Sequence, residues 1–163
     1  MSAAVRLATS GDATALYEHW SALRRYNASI DARVIPVPVG REDFAAGLDS
    51  VLARQTSVAF VAELGGTLVG FISGGVENNQ PDRLPELHAT VGYLWVAVSA
   101  RRTGIGRQLV GAVTEWAAKQ EGVAHMEMTV LAADQEAATF WRSMGFSPFI
   151  QRVWAALPTE GGA

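Results

Sequence analysis

A chain of 163 residues, 49% hydrophobic and 18% charged, suits a single globular domain over residues 1–163 that needs neither disulfide nor cofactor merely to fold. A formal charge of −3 argues against a general basic surface for nucleic acid, and the absence of cysteine excludes both a disulfide framework and a cysteine acyl-enzyme. No apolar stretch approaches the roughly 20 residues of a membrane span, and the opening MSAAVRLATSGD lacks a signal peptide's apolar core, so a cytoplasmic protein bound to neither membrane nor nucleic acid is expected.

Val5 to Leu7 reads as a short first strand, and Ser10-Gly11-Asp12 caps a helix whose apolar positions are Ala13, Leu16, Trp20 and Leu23. A turn-like stretch from Asn27 to Gly40, broken by Pro36 and Pro38, leads to a second helix over 41–54 with Phe44, Leu48, Val51 and Leu52 on one face. Two β-rich runs, 58–64 and 67–74, flank Gly65-Gly66 as in a hairpin, and the polar stretch 75–85 predicts a loop. His88 to Val98 reads as a long strand, apolar on both faces toward its end and therefore central. Ile105, Leu109, Val110, Val113, Trp116 and Ala117 make a helical stripe; then follow a strand over 126–131, a helix over 135–144 stopped by Gly145, and a last strand over 149–156. Residues 158–163 read as a mobile tail.

The segment LWVAVSARRTGIGRQ, from Leu94 to Gln108, carries the most specific chemistry. An apolar strand stops there at a basic, glycine-containing turn that opens a helix. Gly104 and Gly106 put no Cβ between ligand and backbone, so consecutive N–H groups can converge on an anion at the positive end of the helix dipole. Arg101, Arg102 and Arg107 add positive charge. A P-loop is excluded, because the helix opens Gly106-Arg107-Gln108-Leu109 without a Lys-Ser or Lys-Thr pair, and a dinucleotide fingerprint would need a third glycine where Leu109 stands. Gly70-Phe71-Ile72-Ser73-Gly74 does not set Ser73 in a serine hydrolase's G-x-S-x-G.

Arg101-Arg102-Thr103-Gly104-Ile105-Gly106 resembles the R/Q-x-x-G-x-G/A signature of the GCN5-related N-acetyltransferases (GNAT), with Val96 and Val98 where that family's pantetheine-binding strand ends. A second segment, Asp134-x-x-Ala137-x-x-Phe140-Trp141-x-x-x-Gly145-Phe146, is similar to the family's N-x-x-A-x-x-F-Y-x-x-x-G-F. The element order β-α-α-β-β-β-α-β-α-β agrees from about residue 5 to 157. The resemblance implies an α/β (α+β) GNAT fold: a mixed, mostly antiparallel sheet of six to seven strands flanked by about four helices. It implies acetyl-CoA as the acetyl donor and a primary amine of a small molecule or amino acid as acceptor. Trp95, Val96, Ala97, Val98, Arg101, Arg102, Thr103, Gly104, Ile105, Gly106, Arg107, Asp134, Phe140 and Trp141 would bind the donor.

Three chemical needs follow from that reaction. The oxyanion needs a donor, which the resemblance assigns to a backbone N–H near Trp95 and Val96. The ammonium must lose a proton, and the position most often acidic in the family falls at Thr90, which cannot serve; His88 is the first substitute and Glu77 the second. The tyrosine that commonly protonates the leaving thiolate is here Trp141, which is no acid. A thiol of pKa about 8.5 leaves tolerably without one, with water or Tyr93 as the alternative donor, and Asp134 stands for the usual asparagine. Tyr26, Arg25 and Arg33, with Arg24, are expected around the acceptor, whose identity the residues do not give. A noncatalytic acyl-CoA-binding domain and a protein or peptide acetyltransferase are the alternatives.

The histidines at 19, 88 and 125 have no metal-ligand spacing, and no metal is expected. Asn27-Ala28-Ser29 matches a glycosylation sequon that has no consequence without secretion. Phe149 to Ala156, apolar on parts of both faces, predicts a strand edge that a homodimer would cover.

Overall fold

The computed structural model describes residues 3–158. Strand β1 (Ala4–Leu7) is followed by α1 (Ala13–Ile30), α2 (Arg41–Leu52), β2 (Ser57–Leu64), β3 (Thr67–Asn78), β4 (Leu87–Val96), α3 (Ile105–Ala117), β5 (Val123–Met128) and α4 (Gln135–Ser143). The strands lie in the sheet in chain order, antiparallel from β1 to β4, with β5 parallel to β4. No helix among the described residues is long and apolar enough to cross a membrane.

The sheet separates two apolar clusters. On one face Val58, Ile72 and Val91 meet Ile105, Leu109, Val110 and Val113 of α3 and Trp141 of α4. On the other, Val61, Phe71 and Trp95 meet Leu16 and Leu23 of α1 and Leu48 of α2. The period-2 alternation of the strands produces this division, with its phase reset at the bulges, so that Val91 and Trp95, on either side of the bulge in β4, feed opposite clusters.

Several boundaries differ from those the sequence predicts. Helix α1 runs through Asn27 to Ile30, because nothing before Asp31 breaks it; Asp31 turns extended and accepts from the backbone and side chain of Arg33. Strand β3 continues past its predicted end at Gly74, through Gly75 to Asn78, where a loop is predicted. A Cβ on Gly74 would stand 3.0 Å from Val113 Cγ1 and 3.2 Å from the Thr90 carbonyl, so this glycine serves close packing of α3 on the sheet rather than a turn. Strand β4 ends at Val96, and Ala97 leads into a short 3-10 turn over Val98–Ala100. Strand β5 lies three residues earlier than the predicted 126–131.

The last predicted strand does not form: residues 147–158 have no regular structure, so the sheet has five strands among the described residues rather than six or seven. Phe149-Ile150 and Val153-Trp154 are apolar doublets separated by Gln151-Arg152, a pattern that gives neither face of a strand a continuous apolar stripe. All four of these apolar side chains, and Leu157, are exposed. Residues 159–163 of the predicted tail lie outside the described residues.

Candidate active site

Strands β4 and β5 pair only from Leu87 to Val91, with partners up to Met128; beyond that they part. The gap opens into a cavity of about 560 Å³ between Gly92–Val96 on one side and Met128–Leu131 on the other. Leu23, Tyr26 and Asn27 of α1 close one end, and Ala137, Phe140 and Trp141 of α4 line the opposite wall.

A bulge in β4 helps set the gap. The register to β3 slips between Ser73 and Gly74, leaving Gly92 unpaired, and the Ser73 hydroxyl accepts from the Tyr93 N–H at 3.1 Å. The Ala97 N–H donates to the Val69 carbonyl at 2.8 Å, so by strand alternation the backbone groups of Tyr93, Trp95 and Ala97 face β3. Those of Leu94 and Val96 therefore face the gap, and Arg101 Nε donates to the Val96 carbonyl from that side at 3.0 Å. The Leu94 and Val96 N–H groups are thus aimed at the cavity, whereas the amide of Trp95 is directed at β3.

The glycine turn sits at the cavity's rim. Gly104 is the N-cap of α3 at φ 87°, and Arg102 also takes a positive φ of 62°. The first internal helix bond joins Gln108 N–H to the Gly104 carbonyl, so the amides of Ile105, Gly106 and Arg107 are free donors at the helix N-terminus. Arg101, Arg102, Gly104, Gly106 and Arg107 line the cavity. Four of the predicted donor-binding residues do not: Ala97 is tied to β3, Val98 is exposed, the Thr103 hydroxyl donates to the Ala100 carbonyl at 2.7 Å, and the Ile105 side chain is in the core.

The Arg101 guanidinium lies 4.7 Å from the Trp95 ring and 5.7 Å from that of Tyr26, with Glu136 at 4.0 Å. Asp134, only 5% exposed, caps α4 by accepting from the Ala137 N–H at 2.9 Å, and the same oxygen accepts the Tyr26 hydroxyl at 3.2 Å. Burial, and then the charge of Asp134, push the Tyr26 pKa up, so its phenol keeps its proton. Trp141 is buried between Phe140 and Phe146 in edge-to-face contact, and no phenol takes its place on α4.

Of the residues predicted around the acceptor, Tyr26 lines the cavity and the arginines do not. Arg24 lies over Trp20, Arg25 is exposed, and Arg33 pairs with Asp31 and lies 5.4 Å from the Trp154 ring. Of the predicted proton-transfer groups, Tyr93 lines the cavity and is 45% exposed. Glu77 and His88 are paired across β3 and β4 but lie outside the lining. His88 is 8% exposed; its Nδ1 is buried without a partner, and its Nε2 is 3.9 Å from Glu127 Oε2. The cavity lining does not include His88, so as a base it would act through water rather than on the acceptor directly. The ring stacks on His125 at 5.7 Å, and His125 Nε2 is 2.9 Å from Glu127 Oε1.

Glu127 and His125 are absent from the sequence-derived site. The signal for them is the alternation His125-Met126-Glu127-Met128, in which a strand packs two half-buried methionines on one face and presents an acid and an imidazole on the other. No group of three or more metal-ligating side chains among the described residues has the geometry to hold a metal ion.

The sequence model of the Acetyltransferase (GNAT) family matches residues 14–146, and the chain belongs to that family. Solved structures agree on the fold. The aminoglycoside acetyltransferase AAC(6')-Iy, solved with the bisubstrate analogue CoA-S-monomethyl-acetylneamine, superposes with a TM-score of 0.73 at 16% identity, covering 98% of this chain and all of that one. A tetramutant of the BH1408 protein from Bacillus halodurans gives 0.81 at 16% identity, over 94% of this chain and 99% of its own. A transcriptional regulator from Bacillus halodurans C-125 gives 0.75 at 20% identity, over 96% and 100%. No curated protein sequence matches the chain.

Proposed function

We propose that this protein transfers the acetyl group of acetyl-CoA to a primary amine of a small molecule or amino acid. The observation that carries the reading is the parting of β4 from β5, which leaves the Leu94 and Val96 amides facing a cavity whose rim is the free N-terminus of α3. The helix N-terminus, with Arg102 and Arg107 beside it, suits the donor's pyrophosphate. The strand amides suit the pantetheine and the thioester oxygen. The binding of a CoA-based analogue by AAC(6')-Iy on the same fold supports this choice of donor.

In the reaction the acceptor ammonium loses one proton, and the free amine attacks the thioester carbonyl carbon. The Leu94 or Val96 N–H stabilises the resulting oxyanion. The carbon–sulfur bond then breaks, and the second amine proton goes to the leaving sulfur. With Trp141 in place of an acid, that proton passes directly, through water or through Tyr93; a thiol of pKa about 8.5 leaves tolerably without help. A thiol-release assay with acetyl-CoA against amines, amino acids, polyamines, aminoglycosides and peptides tests the reading, and turnover on at least one small amine is expected. The buried Trp141, which cannot act as an acid, favours a second reading as a noncatalytic acyl-CoA-binding domain. Tight acetyl-CoA binding with no turnover on any acceptor would decide for it.

The reading extends to a homodimer in which the exposed segment Phe149–Leu157 meets a second copy. Among the described residues, the segment 149–157 is exposed without a partner strand and β5 is an edge of the sheet, so two copies can satisfy each other.

A further inference from the structure

The sheet face that carries Trp95 also carries, along β4, Tyr93, Thr90 and His88; Gly92 is the bulged residue, and the alternation resumes on either side of it. Thr90 pairs with Glu127 across the parallel ladder, so the two side chains share that face, and His125 is two residues before Glu127 on the same strand. On the opposite face Met126 and Met128 belong to the α3 cluster. Polar side chains therefore continue down this face from Tyr93 at the cavity; of its two carboxylates, Glu77 lies farther along, opposite His88, whereas Glu127 pairs with Thr90, has a side chain 29% accessible and is next in sequence to the cavity-lining Met128.

The acids that line the cavity are Asp134 and Glu136. Asp134 accepts two hydrogen bonds and is buried, and Glu136 faces the Arg101 guanidinium. His88 has one ring nitrogen sealed and the other turned toward Glu127.

We propose that Glu127 is the group that takes the proton from the acceptor ammonium, with His125 as its positioning residue; this rests on the acetyl-transfer reading above. Glu127, like His88, is outside the cavity lining, so a water carries one proton from the ammonium to a Glu127 carboxylate oxygen. The neutral amine forms the carbon–nitrogen bond as the carbon–sulfur bond breaks, its second proton goes to the leaving sulfur, and the Glu127 proton returns to solvent before the next turnover. The hydrogen bond from His125 fixes one carboxylate oxygen, Oε1, and leaves Oε2 toward His88 and the strip. The titratable groups facing this carboxylate are His125 on its own strand and His88 on β4, with Glu77 of β3 beside His88.

The test is kcat/KM of wild type, Glu127→Gln and Glu127→Asp against pH on an amine found by the thiol-release panel, alongside acetyl-CoA affinity and melting temperature. Glu127→Gln should lose about 10²-fold near neutral pH. Its deficit should narrow as pH rises toward the amine's own pKa, where the free base needs no acceptor for its proton, while acetyl-CoA affinity stays unchanged. Glu127→Asp, which retains a carboxylate, should recover part of the rate. Glu127→Gln within threefold of wild type with the same pH profile would overturn the proposal and leave the acetyltransferase reading intact. Both variants losing acetyl-CoA binding or melting early would assign Glu127 a structural role and overturn it as well. A wild type that binds acetyl-CoA but acetylates no amine would remove the transfer reading and this proposal with it.

Discussion

Gly104 and Gly106 stand two residues apart for different reasons. Gly104 has open space where a Cβ would project, but its φ of 87° lies in the left-handed region that a β-branched side chain resists. Gly106 has an ordinary φ, and a Cβ there would stand 3.4 Å from the Phe140 ring. Gly104→Val should distort the turn at a cost of about 1–3 kcal/mol, lowering acetyl-CoA affinity while the domain remains folded. Gly106→Val should wedge α3 away from Phe140 and lower stability and affinity together. Calorimetric titration with a melting curve for each variant separates the two outcomes, and unchanged affinity in Gly104→Val would remove the turn from the donor site. At Trp141 the indole is both cavity wall and core, so Trp141→Phe should keep kcat within a few-fold while the melting temperature falls. A loss of kcat as large as a missing acid's, at unchanged acetyl-CoA affinity, would give the indole a direct role.

Among the elements, β1 is held to the first helical turn by charge. The Arg6 guanidinium donates to both oxygens of Asp12 and to Glu63 on β2, and this pairing lowers the Asp12 pKa to about 2. A carboxylate with a depressed folded pKa stabilises the native state above its unfolded value and loses that contribution as pH falls through the folded one. With Arg6 well exposed, the effect should be about 1 kcal/mol, present at neutral pH and lost between roughly pH 4 and 2. Urea titrations of wild type and Asp12→Asn across that range should show the two converging in acid. The same scale explains what the sequence discloses. The glycine turn and the helical stripe from Ile105 to Ala117 are local patterns, and they are legible because their physics is local. Gly75 reads as the start of a loop because glycine usually punctuates, whereas the strand runs on through it, and its neighbour Gly74 makes room for Val113 on another element. Glu127 joins the strip through its pairing with Thr90, and no spacing within the chain announces a cross-strand register. Of the candidate site, therefore, the donor half was the more readable: it is built from one continuous segment, while the acceptor half is assembled by the sheet.

At the scale of the whole molecule, the segment Phe149–Leu157 predicts self-association. Light scattering at tens of micromolar should give a dimer, and a chain ending at Phe146 should give a monomer; a full-length protein that is only monomeric would count against the pairing. The five-stranded sheet has another consequence, which concerns how mutations combine. Leu16 and Val110 belong to clusters on opposite faces, with the sheet between them. Leu16→Ala should cost about 2–5 kcal/mol and Val110→Ala somewhat less, each leaving a hole that its own cluster alone can relax around. Because the two clusters share no side chain, the double variant should lose the sum of the two within about 0.5 kcal/mol. The sheet would then act as an energetic partition, letting substitutions that reshape the α1 face accumulate without taxing the packing behind the α3 turn.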